Sequence, residues 1–273
     1  MSLKLSLAAV IGLAACLGPP AKAEDAWAPG YTRAIADLNL SMPVSGRVET
    51  LHVREGACIA AGAPLLELDN RLEALEVQRR RATLDNRAEL NGALARLPLV
   101  NMQLRSARAL FSNSASVSRE EVQSRELAVI ATTAEIEMRR AVKEVERLEH
   151  EAAREVLDRR TLHAPVAGCV VRILRFPGES VQALETVLRL VNTERLLFIS
   201  SVEEALARRL RLGDEVLLNP DIEDTDAQAS GAITFIAPVA DPASGLVEFR
   251  AEFANPDDRL RAGTRARLRL QER

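Results

Sequence analysis

Residues 43–70, PVSGRVETLHVREGACIAAGAPLLELDN, and residues 165–192, PVAGCVVRILRFPGESVQALETVLRLVN, align without a gap at an offset of 122. Nine of the 28 positions are identical: Pro43/Pro165, Val44/Val166, Gly46/Gly168, Val48/Val170, Gly56/Gly178, Ala61/Ala183, Leu66/Leu188, Leu68/Leu190 and Asn70/Asn192. An internal repeat overrides local guesses about fold, because each copy is a unit that buries its apolar face against the other. Each copy reads as short strands punctuated by glycines ten residues apart, Gly46 and Gly56 in the first, Gly168 and Gly178 in the second. Such glycines belong where strands turn closely or φ is positive. The two halves are expected to face each other and close a small β-sandwich.

The copies are separated by a helical insert, residues 71–158. Its first half places Leu90, Ala93, Leu97, Val100, Leu104, Ala107 and Phe111 at alternating spacings of three and four. Its second half places Leu127, Ala131, Ala134, Met138, Ala141, Val145, Leu148 and Ala152 in the same rhythm. This 3.5-residue period is that of a coiled-coil seam. A polar break, Ser112-Asn113-Ser114-Ala115-Ser116, divides the halves, and Ser118 with Glu121 reads as a capping box opening the second helix. Residues 71–111 carry eight basic and four acidic side chains; residues 119–158 carry seven basic and eleven acidic. Opposite charge, matched seams and a short connection predict an antiparallel pair with arms about 60 Å long at 1.5 Å per residue. Pro98 is expected to kink the first arm.

Residues 194–273 turn to β again. Segments 196–202, 215–219, 231–236, 246–253 and 264–270 read as strands, with turns at Asn219-Pro220, Ala237-Pro238 and Asn255-Pro256 and a short helix near 203–210. Five or six strands and one small helix suggest a compact β-barrel.

The chain opens with Lys4, an apolar stretch from Leu5 to Leu17, and Ala21-Lys22-Ala23. A basic start, a short apolar core and small residues at −3 and −1 describe a secretory signal over residues 1–23. The stretch is shorter than the roughly 20 residues a bilayer span needs. Within it, Leu13-Ala14-Ala15-Cys16 resembles a lipobox, so two outcomes stand side by side. One is cleavage after Ala23; the other is acylation of Cys16, which would anchor the chain at the inner membrane. Either way the folded part is expected to be exported. The net charge of −3 leaves no excess of cations for phosphate neutralisation, and aromatics at 3% offer no base-stacking platform, so nucleic acid is not expected as a partner.

A half-motif, a helical pair, the other half-motif and then a barrel is the order of periplasmic adaptor subunits, the membrane fusion proteins of tripartite efflux and secretion systems, here resembling those of resistance-nodulation-division pumps. The residues that carry the resemblance are Pro43–Val48, Val53-Arg54-Glu55-Gly56, Leu66–Asp69, Leu162–Gly168, Pro177-Gly178-Glu179 and Leu190-Val191-Asn192, then Gly231-Ala232-Ile233, Pro238, Asp241, Asn255-Pro256 and Leu260–Gly263. The resemblance implies an elongated α+β fold: a lipoyl-like domain in two halves (32–70 and 159–193), interrupted by a long antiparallel coiled-coil α-hairpin (71–158) and followed by a β-barrel domain (194–273). A further membrane-proximal β-domain, usual in such adaptors, is not expected in these residues. The partners implied are an inner-membrane transporter, an outer-membrane channel and further copies of the chain in a ring. The hairpin tip would meet the channel, with Arg108, Leu110, Phe111, Ser116, Ser118 and Glu121 as the contact candidates. An arginine–leucine–serine tip pattern, counted back from Ser118, falls on Ala107 and Phe111, with Arg105, Arg108 and Leu110 displaced from it.

Competing chemistry is poorly supplied. A lipoate or biotin carrier needs a lysine on an exposed turn between the halves, yet Lys4, Lys22 and Lys143 are the only lysines and neither repeat holds one. No cofactor is expected. His52, His150 and His163 fall at no ligand spacing, and Met42, Met102 and Met138 form no cluster, so no metal site is expected either. The run 144–155 reads as a solvated helix face rather than catalytic carboxylates, and no enzyme is predicted. The alternative is a structural envelope coiled-coil protein that binds without transport. Cys58 and Cys169 lie in opposite halves of the repeat, in an oxidising compartment where a disulfide is open to them; two buried free thiols are the expectation.

Overall fold

The computed structural model describes residues 26–114, 116–221, 228–256 and 258–270. The signal segment 1–23, with Cys16, lies outside the described residues. The chain forms two compact units, one of residues 35–193 and one of residues 1–34 with 194–273.

Within the 35–193 unit the repeat is visible strand by strand. β2 (Gly46–Leu51), β3 (Cys58–Ile59) and β4 (Pro64–Leu68) recur 122 residues later as β6 (Gly168–Ile173), β7 (Ser180–Val181) and the start of β8 (Thr186–Glu203). The main-chain hydrogen bonds recur too. Gly56 N–H donates to Val170 O, and Gly178 N–H donates to Val48 O, both at 2.7–2.8 Å. His52 N–H donates to Leu65 O and Leu174 N–H to Val187 O; Gly62 N–H donates to Ala164 O and Leu184 N–H to Met42 O. Each half thus supplies backbone donors to the other, so neither satisfies its polar groups alone. The core between them is Met42, Val48, Val53, Leu65, Leu66, Leu68, Val170, Val181, Val187, Leu188 and Leu190. The Leu-x-Leu ends shared by the two copies lie inside it.

Between the halves run α1 (Arg71–Asp85), α2 (Ala88–Ser114) and α3 (Arg119–Asp158). The first arm, expected as one helix kinked at Pro98, is instead broken at Asn86-Arg87, while Pro98 lies within α2. Asn86 takes an extended ψ of 104°, and its Oδ1 accepts a hydrogen bond from Ala88 N–H, which restarts the helix. Four inter-helix ion pairs set the direction: Arg108–Glu126, Arg96–Glu135, Arg139–Glu89 and Arg80–Glu149. As the residue number falls along α2 and α1 it rises along α3, so α3 runs antiparallel to both. Its 40 residues extend about 60 Å.

The other unit is a closed β-barrel. β1 (Ala26–Ser41) pairs with β12 (Arg265–Leu270), which continues through β9 (Glu215–Pro220), β10 (Ala229–Ile236) and β11 (Leu246–Ala254) to β8, and β8 pairs back to β1. β1 is not among the strands expected from the sequence, since its run AWAPGYTRAIADLNLS contains Pro29 and Gly30 and so reads as broken. Here Gly30 is what permits closure: a Cβ on it would lie 2.3 Å from Ile199 O and 2.5 Å from the Phe198 ring. Alternate residues of β11, Val247, Phe249, Ala251 and Phe253, fill the interior with Phe198, Leu218 and Leu268. α4 (Glu204–Ala207) is the short helix expected after the first barrel strand.

Candidate functional site

The helical pair is the most elongated feature of the 35–193 unit, and its two ends are built differently. At the base, Arg160 donates to Ser45 O at 3.0 Å and pairs with Glu73, tying the first turn of α1 and the exit of α3 to the sandwich. Leu68 N–H donates to Arg160 O and Asp69 N–H to Arg47 O, each at 2.9 Å. Asp69 also receives Arg71 Nη2 at 2.6 Å and Nε at 2.9 Å. Those hydrogen bonds, assisted by the Arg71 and Arg47 charges, lower the Asp69 carboxyl to about 2. Glu76, bonded by Arg79 and Arg80, is likewise lowered to about 2. The base is a dense mesh of charge-assisted bonds.

The far end is spare. Ser118 caps α3, accepting a hydrogen bond from Glu121 N–H at 3.2 Å. The Glu121 carboxylate turns to Arg125 rather than back to the cap, so only one arm of the capping box forms. Arg108 pairs with Glu126 at 2.7 Å. Leu110 and Phe111 remain 48% and 42% exposed, and Ser116 and Ser118 are exposed. The six candidates from the sequence thus gather over the last two turns of α2, the connection and the first turn of α3.

The seams divide unequally. In α2, Leu90, Ala93, Leu97, Val100, Leu104 and Ala107 are all buried or half-buried, as the periodicity predicts; Phe111, last in that series, is exposed. In α3 the expectation fails. Leu127, Ala131, Ala134, Met138, Ala141, Val145, Leu148 and Ala152 are all exposed, while Arg125, Val129, Thr132, Ile136, Arg139, Lys143, Glu146 and His150 turn inward. The two series differ by two residues, and two residues at 100° each rotate the helix by about 200°. The apolar stripe therefore lies opposite the packed one. Counting apolar residues chose the wrong face because the packed face is mainly polar, its long side chains covering apolar surface with their stems. Lys143, the lysine within the helices, shows how. Its ammonium donates to Thr83 O at 3.1 Å and Leu84 O at 3.3 Å and pairs with Glu146 at 2.6 Å. It thereby adds a donor at the break after α1, to Thr83 O, which also accepts the Asn86 N–H, and to Leu84 O.

The glycines divide in the same way. Gly56 and Gly178 have φ of +82° and +93°. Gly46 and Gly168 do not have positive φ; they open β2 and β6, where a Cβ would come within 2.9 Å of Leu68 Cδ1 and 2.7 Å of Val191 O. The cysteine expectation is overturned. Cys58 and Cys169 stand as Cα partners on β3 and β6 and are joined by a disulfide. The two residues lie on the outer side of their strands, with Cys58 exposed, because alternation sends Ile59 and Val170 inward. No group of three or more histidine, cysteine or acidic side chains suited to a metal occurs among the described residues, and no described helix is long and apolar enough to cross a membrane.

Residues 199–273 match the CusB-like β-barrel domain family. Across 254 residues, 91% of this chain and 68% of the relative, the sequence is 25% identical to the macrolide export protein MacA of Yersinia pestis. The likeness to this export protein thus runs along most of the chain, while the family match is confined to the barrel residues. An uncharacterised protein of Haemophilus influenzae is 26% identical over 89% of this chain, and the chain spans only 58% of that relative's length. MacA from Actinobacillus actinomycetemcomitans shares the fold, with a TM-score of 0.72 at 18% identity over 90% of this chain and 78% of that one. So does the membrane fusion protein Spr0693 of Streptococcus pneumoniae R6, with a TM-score of 0.62 at 14% identity over 91% and 99%.

Proposed function

We propose that this chain is a periplasmic adaptor that links an inner-membrane transporter to an outer-membrane channel for efflux or secretion. The observation that carries the reading is the antiparallel helical pair, anchored at its base by Arg160 and Asp69 and bearing a lightly packed apolar end at Leu110 and Phe111. A stiff arm with a braced base and an exposed tip suits reaching a partner. In this reading the sandwich is a lipoyl-like domain in two halves (32–70 and 159–193), residues 71–158 are a coiled-coil hairpin, and residues 194–273 are a barrel domain. The tip residues Arg108, Leu110, Phe111, Ser116, Ser118 and Glu121 meet the channel. Lipid on Cys16, or a mature start at Glu24, leaves the chain at or near the inner membrane.

The outward stripe of α3 suits lateral packing against another copy, which would close a ring. Leu127, Met138, Val145 and Leu148 fall at seam spacing with exposed Ile130 beside them, and α2 presents Leu99 and Met102 outward. The acidic excess of α3 complements the basic excess of α1 and α2 in a neighbour.

The test is at the tip. Replacing Leu110, Phe111 or both with serine is expected to leave helix content and melting nearly unchanged while transport fails. Cross-links placed at position 116 should reach a channel protein in the unaltered background and vanish in the variants. Full transport with an altered tip would favour a scaffold protein without a transport role. Met138→Glu separates the ring from the tip: dissociation of an oligomer with an intact tip would assign the α3 stripe to copy-to-copy contact.

A further inference from the structure

The equivalent strands of the two halves cross at two places, β3 on β6 and β7 on β2, and β4 also pairs with β5 (Thr161–His163). Only the first crossing is covalent. The Cys58–Cys169 bond spans 111 residues of sequence, and β4, all three long helices and β5 lie within that span. β3 is two residues long and is the last strand on its side of the sheet, while β6 lies between it and β8. Cys58 is consequently an exposed side chain on an open strand edge, whereas Cys169 is half-buried. A disulfide in this position can be approached by a nucleophile without opening the core, since Ile59 and Val170 carry the packing on the opposite face.

We propose that Cys58–Cys169 is a site of thiol–disulfide exchange in the folded protein, formed and broken by a partner protein carrying a reactive pair of cysteines. In the reducing direction, a thiolate of the partner attacks Sγ of Cys58. The Cys58–Cys169 bond breaks, its electron pair goes to Sγ of Cys169, and that sulfur takes a proton. The partner's second thiolate then attacks the partner sulfur of the mixed disulfide, and Cys58 leaves as a thiolate and is protonated. Two electrons and two protons have passed to this chain, and the partner's dithiol has become a disulfide. The reverse sequence, with the partner supplied in its disulfide form, installs the bond after export.

The fold tolerates both states. The halves remain joined by β2 on β7 and β4 on β5, and by the Gly62 N–H to Ala164 O and Leu184 N–H to Met42 O hydrogen bonds. Breaking the bond frees the two-residue β3, a local opening of small area compared with unfolding the unit. The chemistry is independent of what the helical tip contacts.

The experiment uses the full-length oxidised protein with reduced thioredoxin as the dithiol probe, followed by labelling with a maleimide polymer that shifts the band on a gel. The C58S/C169S double variant reports any label on Cys16, so the pair is counted by difference. No label from the pair is expected before reduction and two after it, with the far-ultraviolet dichroism spectrum retained. Because opening is local, the reduction rate should change by less than about twofold across sub-denaturing urea. A thioredoxin lacking its second cysteine should be trapped on Cys58, located by peptide mass. Two labels without reductant would show there is no bond. A reduction rate that climbs with urea in parallel with global unfolding would show the bond is reachable only in the unfolded chain. Either result overturns the proposal, as does trapping confined to Cys169.

Discussion

The two copies of the repeat make the same hydrogen bonds with different side chains. Where the first copy has Gly62 at φ +80°, the second has Leu184 at φ +65°, and both N–H groups donate to the equivalent carbonyl across the sandwich. Where Cys58 faces Cys169 at one crossing, Ser180 faces Arg47 at the other. Gly46 and Gly168 open equivalent strands, yet one abuts side chains and the other a main-chain carbonyl. The repeat thus preserves a backbone pattern, and each side chain within it is free to take on a separate task. Substituting matched positions in the two halves tests that directly.

The largest difference is expected at the crossings. Joining residues about 100 apart removes denatured-state entropy worth up to about 4.7 kcal/mol in the chain-entropy model, and natural disulfides commonly deliver about 2–4 kcal/mol. The C58S/C169S variant should therefore lose about 3–4 kcal/mol in urea unfolding. The equivalent double change, Arg47→Ala with Ser180→Ala, touches an exposed arginine 3.9 Å from Asp69 and should stay within about 0.5 kcal/mol. Equal losses at both crossings would mean the covalent bond contributes nothing beyond the strand pairing.

Next come the strand-opening glycines. A Cβ at 168 would meet Val191 O at 2.7 Å, and a carbonyl held in the β6–β8 ladder cannot step aside cheaply. A Cβ at 46 meets Leu68 Cδ1 at 2.9 Å and Arg160 Nη1 at 3.0 Å, both at the ends of side chains. Overpacking costs about 1–3 kcal/mol, so Gly168→Val should fall near the top of that range and Gly46→Val near the bottom. Thermal melts of the two variants measure the gap; a larger loss at 46 would reverse the assignment.

Most of the architecture was legible because it rests on backbone demands that leave marks in sequence. The 122-residue offset reproduces strand boundaries to the residue, since glycines and alternating leucines report turn geometry and core facing together. The α2 seam was legible for the same reason. The α3 seam was not: its packed face is built from Arg125, Arg139, Lys143, Glu146 and His150, and apolar periodicity is blind to a seam made of paired charges and aliphatic stems. β1 hid behind Pro29 and Gly30, residues that usually end strands. The cysteines could not be paired from spacing, because their proximity follows from the crossing of β3 and β6 and not from any local pattern. At the candidate site, the tip residues were located by the Ser118 cap, whereas the bracing of its base by Arg160 left no sequence signature.

A smaller effect, of opposite sign in the two halves, is expected at the left-handed turn. Leucine in the left-handed region costs roughly 1–2 kcal/mol, and Leu184 is 81% exposed and gains little packing in return. Leu184→Gly removes that strain but adds denatured-state entropy, for a net gain of about 0.5–1 kcal/mol. Gly62→Leu imports the strain and should lose about 1 kcal/mol or more, although no atom lies within 4 Å of its Cβ position. Stabilisation at 184 with destabilisation at 62 is the expected pair of melting shifts. A loss at both would mean that Leu184 makes a contact worth more than its backbone strain.

The smallest effect lies at the helical base, where the halves differ because Val191 occupies the second-copy equivalent of Asp69. The Asp69 carboxyl is lowered from 3.8 to about 2, first by the Arg71 side-chain hydrogen bond and then by the Arg71 backbone N–H. A depressed folded value means the unfolded chain binds the proton more readily, so the contribution is complete above pH 4 and disappears as pH falls toward 2. Glu76, lowered from 4.5 to about 2 by Arg79 and Arg80, acts in the same window. Both groups are open to solvent, so salt should weaken the effect. Melting of the native chain and of Asp69→Asn, followed by helical dichroism, should differ most near pH 6 and converge as pH approaches 2. Raising the salt should narrow the gap at pH 6 while leaving the curves near pH 2 together. A difference that instead persists undiminished at pH 2 would assign the role of Asp69 to its shape and hydrogen-bonding capacity rather than to its charge.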